Sequence, residues 1–197
     1  MKNKSSYSRI PFALTPLGLI LANCGGGGSS SGGSGQSVSQ DPPSSNPAFN
    51  VYGNVVKGPL SNALVFLDYD DDGIQDSGEP SIRTDSNGGY TISTTNQSYS
   101  VVAVADDSTI DTSSGTVLTG VTLKAPKGAS VITPTTTLMK ESNLSADEVS
   151  TVLSLPDGVD PLTFNPYGSG VDAAKALAVE KVSQQVMSVV NSFAAAR

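Results

Sequence analysis

A run of acidic residues between positions 68 and 79 has the side chains and the spacing of a cation site. Carboxylates stand at positions 1, 3, 5, 9 and 12 of this loop, and a glycine stands at position 6, where a sharp turn is needed. Ca²⁺ accepts six to eight oxygen ligands in a flexible geometry, and this spacing can supply them. Five side chains and the backbone carbonyl of one isoleucine are predicted to bind Ca²⁺: Asp68, Asp70, Asp72, Asp76, Glu79 and Ile74.

The loop departs from a helix-loop-helix calcium sensor in two ways. It follows an apolar run of β type instead of a helix, and Gly78 with Pro80 disfavours a helix immediately after it. Ile74 also stands one place before the apolar position that such sensors use. The pattern therefore predicts a calcium site that is not a calmodulin-type sensor, which would open a groove on binding. The alternative is a solvated acidic turn that holds no ion.

The elements around this loop are predicted to form an antiparallel β-sandwich over residues 49–124. Short β-type runs alternate there with turn residues, as in sandwich domains. The run 63–68 is apolar on both faces, which predicts a central strand. The predicted strands cover residues 49–56, 63–68, 81–84, 90–93, 99–105 and 117–123.

Residues 125–197 are predicted to be a helical region with two short helices and one long C-terminal helix. Thr133 and Pro134 begin the first helix, and Ser145 with Glu148 forms a capping box at the second. The long helix is predicted over 171–195, with one apolar stripe that packs within the chain or, alternatively, on another chain. The stripe consists of Val179, Val182, Val186, Val189 and Phe193.

Several segments of the predicted sandwich resemble the B-type repeats of bacterial serine-aspartate surface adhesins. They read GNVVKGPL at 53–60, ALVFLD at 63–68, SGEP at 77–80 and TDSNGGY at 84–90. Related collagen-adhesin B-type and carboxypeptidase-regulatory-like domains share a prealbumin-like β-sandwich. The resemblance implies that fold here, with calcium in an inter-strand loop that stiffens a stalk or spacer.

The amino terminus resembles the signal peptide of a bacterial lipoprotein. Cations at the start precede an apolar stretch over 10–22, which is too short to span a bilayer. The one cysteine of the chain, Cys24, follows this stretch. The resemblance implies that residues 1–23 are removed and that Cys24 carries the acyl chains of a membrane anchor.

The residues around Cys24 extend this interpretation. The residue after the cysteine is Gly25 and not aspartate, which by family analogy implies attachment to the outer membrane. The protein is therefore expected to be exported to the cell envelope and to face the surface or the periplasm. Asn23 departs from the small residue that the family prefers. An ordinary signal peptide or a free buried thiol is the alternative. Residues 24–48 are rich in glycine and serine, which predicts a tether.

Composition excludes several classes of function. The chain has 197 residues, a formal net charge of -7 and no histidine. The acidic balance argues against a nucleic-acid partner, because phosphate contacts need clustered cations. The lack of histidine removes the usual general base and the commonest zinc ligand. The composition therefore favours a non-enzymatic protein, and the resemblance to surface adhesins implies a role in surface structure or adhesion, with a surface protein or a glycan as its ligand.

The alternative function is a carbohydrate-binding or enzyme-accessory module of an exported hydrolase system. Such a module needs exposed aromatic rings on which sugars can stack. The chain contains no tryptophan. The candidate rings are Tyr52, Tyr69, Tyr90, Tyr99 and Tyr167.

Overall fold

The computed structural model describes residues 46–195, with side chains as far as residue 189. This part of the chain forms a mixed β-sheet domain with helices at its C-terminal end. In chain order the elements are β1 Phe49–Val55, β2 Leu60–Ser61, β3 Leu64–Asp68, β4 Ser81–Arg83, β5 Gly89–Thr94, β6 Ser100–Ala105, β7 Ile110–Asp111, β8 Thr116–Val117, β9 Val121–Ala125, β10 Val131–Ile132, α1 Pro134–Ser142, α2 Ala146–Val152 and α3 Ala173–Ala195.

The strands form three small sheets, and two of these sheets share one core. The orders are β10-β1-β5, β4-β3-β6-β9 and β2-β7-β8. Alternate residues of the first two sheets point inward, and Val51 and Ile92 of one lie in the same apolar cluster as Leu67 and Leu123 of the other. This arrangement is sandwich-like. The prediction that residues 63–68 form a central strand is confirmed, because β3 lies between β4 and β6.

The described strand pairings within residues 49–124 are antiparallel, as predicted, but β10 lies beyond this range and is parallel to its neighbour. This strand of two residues pairs in parallel with β1, with Asn54 opposite Val131 and Val55 opposite Ile132. Both of these valines and Ile132 are buried. The region predicted to be helical from residue 125 onward therefore contains a strand before its first helix, and the two apolar residues of that strand are buried beside β1.

The predicted strand 117–123 is also wrong. Two separate strands, β8 and β9, occupy this region, and Gly120 lies between them with φ of 72°. The N–H of Gly120 donates to the carbonyl of Ala105 at 3.0 Å. A left-handed conformation interrupts an extended strand, and glycine adopts it without the steric penalty of a side chain.

The three helices begin and end close to the predicted residues. Thr133 caps α1, where its hydroxyl oxygen accepts from the N–H of Thr136 at 3.0 Å, and Ser145 with Glu148 forms the predicted capping box of α2. In the apolar stripe of α3, Val179 and Val186 are buried within the chain, whereas Val189 is exposed. The side chain of Phe193 is not among the side chains that the structure describes.

Among the described residues, no helix combines the length and the hydropathy needed to cross a bilayer.

Helix α1 covers the outer edge of β9. The hydroxyl of Thr136 donates to the carbonyl of Lys124 at 2.9 Å, and the N–H of Lys124 donates to the hydroxyl of Thr137 at 2.9 Å. These bonds satisfy edge groups that would otherwise be open to pairing with another strand. They also bring the C-terminal turn of α1 close to the acidic loop.

Candidate metal centre

The acidic loop connects β3 to its antiparallel neighbour β4. Asp68 is the last residue of β3, and the loop ends at Glu79, just before β4 begins at Ser81. Both terminal carboxylates are buried, with exposed fractions of 1% for Asp68 and 7% for Glu79. Burial of carboxylates requires a compensating hydrogen bond or cation, so these two residues mark the inner wall of the loop.

The structure brings the five predicted carboxylates together in two overlapping groups. Asp68, Asp70 and Glu79 form one group, and Asp70, Asp72 and Asp76 form the other. Within each group, one oxygen from every residue lies within 4.8 Å of the others. Acidic clusters of this geometry could hold a metal ion, with Asp70 common to both groups.

Hydrogen bonds from the backbone hold the two buried carboxylates in place. Asp68 accepts from the N–H of Asp71 at 2.6 Å and from the N–H of Gly73 at 2.8 Å. Glu79 accepts from the N–H of Tyr69 at 2.6 Å and from the N–H of Asp76 at 2.9 Å. Each carboxylate oxygen has two lone pairs, so these bonds leave acceptor sites for a cation.

The path of the loop depends on residues in the left-handed conformation. Gly73 has φ of 80° and Asp71 has φ of 70°. Gly73 is the glycine of position 6, and its N–H points to Asp68. A side chain at position 73 would be strained in this conformation and would approach the Lys124 ammonium to 3.0 Å. The glycine thus serves the sharp turn that the sequence pattern predicts.

Repulsion between the carboxylates of the loop acts on Asp76. The neighbouring Asp72 carboxylate raises the pKa of Asp76 above its ordinary value, with desolvation and the charges of Asp70, Glu79 and Asp68 adding to the effect. Each of these groups disfavours a further negative charge. A bound cation would remove this repulsion and allow the loop to stay compact with every carboxylate ionised.

Asp71 has a different role from the other aspartates of the loop, and sequence reasoning missed it. Its carboxylate forms an ion pair with Lys140 of α1 at 2.5 Å and accepts from the Ser100 hydroxyl at 2.9 Å. The hydrogen bond from Lys140 lowers the pKa of Asp71, with a smaller contribution from Ser100 and against the effect of desolvation. The side chain therefore points toward α1 and β6.

A second ion pair lies beside the first. Lys124 of β9 pairs with Glu141 of α1 at 2.8 Å, and the Lys124 ammonium lies close to Gly73. No local pattern marks the Asp71–Lys140 pair, because its members are 69 residues apart. The Asp71–Lys140 pair connects the acidic loop to α1, and the Lys124–Glu141 pair connects β9 to the same helix.

Two predicted site residues remain, Ile74 and Cys24. Ile74 lies in the loop with its side chain 65% exposed, and the role of its carbonyl as a ligand stays a prediction. Cys24, the signal segment 1–23 and most of the tether lie outside the described residues.

Comparison of the chain with protein-family models, curated proteins and solved structures gives no match.

Proposed function

We propose that this chain is a non-enzymatic lipoprotein of the cell envelope, and that its sandwich is a calcium-stabilised module for surface structure or adhesion. The observation that carries the proposal is the convergence of five carboxylates in the β3–β4 loop. The sandwich-like pairing of the two main sheets supports a prealbumin-like fold, which is part of the same proposal.

The donor set favours calcium over other cations. Carboxylate oxygens are hard ligands, and the loop contains neither histidine nor cysteine, which zinc and copper prefer. Mg²⁺ usually keeps several waters and binds through one or two carboxylates. Five carboxylates with one backbone carbonyl match the larger coordination number of Ca²⁺.

The proposed mechanism is mechanical. Asp68 belongs to β3, and Glu79 lies two residues before β4, so an ion shared by the loop joins the ends of two neighbouring strands. A ligand that binds the native state but not the unfolded chain stabilises the fold by mass action. The Asp71–Lys140 pair extends this stabilisation from the loop to α1.

Calcium titration tests the module. We expect one Ca²⁺ to bind to the full chain carrying Cys24→Ser, which removes the proposed acylation site. At a free Ca²⁺ concentration of about 100 times Kd, the native state gains about 2.7 kcal/mol. For a domain of this size that gain corresponds to a rise in Tm of roughly 5–10 °C. Isothermal titration calorimetry and thermal melts after chelation measure both effects.

Magnesium at the same concentration is the control for this titration, and we expect it to raise Tm less, because it demands octahedral geometry. If calcium produces neither a heat of binding nor a shift in Tm, the loop is only a solvated acidic turn. That result would remove calcium from the proposal and leave the envelope anchor to be tested separately.

The lipid anchor has its own test. We expect the native chain expressed in a Gram-negative bacterium to incorporate labelled palmitate and to fractionate with the outer membrane. Cys24→Ser removes the thiol that would be acylated, so the label and the membrane association should both disappear, because two or more acyl chains are needed for stable anchoring. A matched Ser29→Ala variant, close to Cys24 in the tether, should keep both. Equal labelling of the Cys24→Ser variant would contradict the anchor.

A further inference from the structure

A groove of about 500 Å³ crosses the outer face of the sheet that contains β1 and β5. This volume is within the range of about 300–1,000 Å³ that is typical of ligand sites. Tyr52 and Asn54 of β1 line the groove, and they alternate with the inward-facing Val51 and Val55. The opposite wall comes from Ile82 of β4 and the residues that follow it.

A glycine on the groove floor makes room for the Asp85 carboxylate. Gly89 of β5 lies opposite Asn54, and a side chain there would approach Asp85 Oδ2 to 2.7 Å. Asp85 Oδ1 accepts from the N–H groups of Asn87 and Gly89, each at 2.8 Å. The turn thereby holds Asp85 beside the groove, and its Oδ2 has no hydrogen-bond partner among the described residues.

The side chains of the groove combine an exposed ring with free hydrogen-bonding groups. Tyr52 is 68% exposed, and its hydroxyl has no hydrogen-bond partner among the described residues. Thr91 lies directly opposite Tyr52, and its side chain is likewise exposed and without a described partner. Of the other candidate tyrosines, Tyr90 is buried, whereas Tyr69 and Tyr99 are partly buried and pack against the core.

The charges around the groove distinguish between classes of ligand. Arg83 is neutralised by Asp106, with a distance of 2.6 Å between its Nη2 and the carboxylate. Asp85 forms no ion pair within the described part of the chain, so it leaves a negative charge at the groove. That charge disfavours an anionic ligand, but it can accept hydrogen bonds from hydroxyl groups.

We propose that this groove binds a neutral oligosaccharide. A pyranose ring has an apolar C–H face that can pack on the Tyr52 ring, and peripheral hydroxyls that can bond to Asp85, Thr91 and Asn54. Amphipathic rings such as tyrosine suit a ligand of this mixed character. The inference rests on the proposed adhesion function for its biological setting, and it deepens that function by naming the class of ligand.

Native affinity electrophoresis of the full Cys24→Ser chain at saturating Ca²⁺ tests the proposal. The gels contain galactomannan, starch or mixed-linkage β-glucan as neutral probes and hyaluronate, which does not gel with Ca²⁺, as the anionic probe. We expect at least one neutral polysaccharide to retard the chain and hyaluronate to retard it less. Tyr52→Ala should lower the affinity for the polysaccharide about tenfold or more, as measured from the retardation, because it removes the ring. Tyr52→Phe should retain most of that affinity.

The matched control is Val152→Ala, which truncates a similarly exposed apolar side chain on α2. It should leave retardation unchanged. The inference is overturned if no neutral polysaccharide retards the chain, if hyaluronate retards it as strongly as the neutral polysaccharides do, or if Tyr52→Ala is retarded as strongly as the unsubstituted chain. A chain that binds calcium in the titration but no neutral polysaccharide keeps the proposed calcium module and loses the groove inference. A chain that binds a neutral polysaccharide but no calcium keeps the groove inference and loses the proposed calcium module.

Discussion

Asp68→Asn is expected to abolish the calcium-dependent rise in Tm and also to destabilise the metal-free chain. The substitution replaces one carboxylate oxygen with an NH₂ group that faces the backbone N–H of Asp71 or Gly73. Because Asp68 is 1% exposed, water cannot replace the lost bond, and the metal-free chain should lose about 1–3 kcal/mol. Calorimetry with Ca²⁺ and denaturant unfolding in chelator measure the two effects.

The loss of calcium affinity should exceed the factor of about 10–100 that residues supporting a metal ligand typically contribute. Two carboxylate-to-amide controls make the result specific. Asp107→Asn removes the same charge from an exposed position outside the loop. Asp71→Asn removes a charge within the loop from the residue that pairs with Lys140. Both should keep measurable calcium binding. Equal losses in all three variants would show that general acidity, and not the predicted ligand set, governs binding.

Gly53→Ala is expected to have the second large effect, on stability alone. Gly53 lies in the middle of β1, and an added Cβ would stand 2.6 Å from the carbonyl oxygen of Ser130 and 2.8 Å from the Tyr90 hydroxyl. Ser130 is held by the bond from its N–H to the Leu162 carbonyl, at 2.8 Å, so it cannot move freely. Overpacking of this kind costs about 1–3 kcal/mol, and Tm should fall by about 2–4 °C for each kcal/mol.

Asn50→Ala is the matched control on the same strand, because the Asn50 side chain is exposed. Its effect should stay within about 0.5 kcal/mol. Thermal and denaturant unfolding of both variants in chelator separate this steric effect from calcium binding. If Gly53→Ala is as stable as Asn50→Ala, the close approach of residue 130 to β1 is absent in solution.

Features that depend on neighbours in sequence could be predicted from the sequence. The helix starts at Thr133 and Ser145 follow from capping residues that lie within one turn of their partners. The acidic loop is equally local, since its five predicted ligand carboxylates lie within twelve consecutive residues. Their convergence follows from the turn at Gly73. The identity of the ion remains a prediction.

Features that depend on distant segments could not be predicted in this way. β10 has two residues and therefore no periodic pattern, yet its pairing partner lies about 77 positions earlier in the chain. Lys140 meets Asp71 because α1 covers the edge of β9, which no local spacing indicates. The groove beside Tyr52 likewise requires β1, β4 and β5 to come together.

The position of β1 affects how the domain would bear a load. β1 lies between β10 and β5, and its first residue is Phe49, next to the proposed tether. A force transmitted from the proposed membrane anchor would enter the described domain at β1. Because β1 is paired on both sides, its extraction must break hydrogen bonds to two neighbouring strands, whereas an edge strand has bonds to only one. The first strand is therefore harder to peel from its sheet than an edge strand of the same length would be.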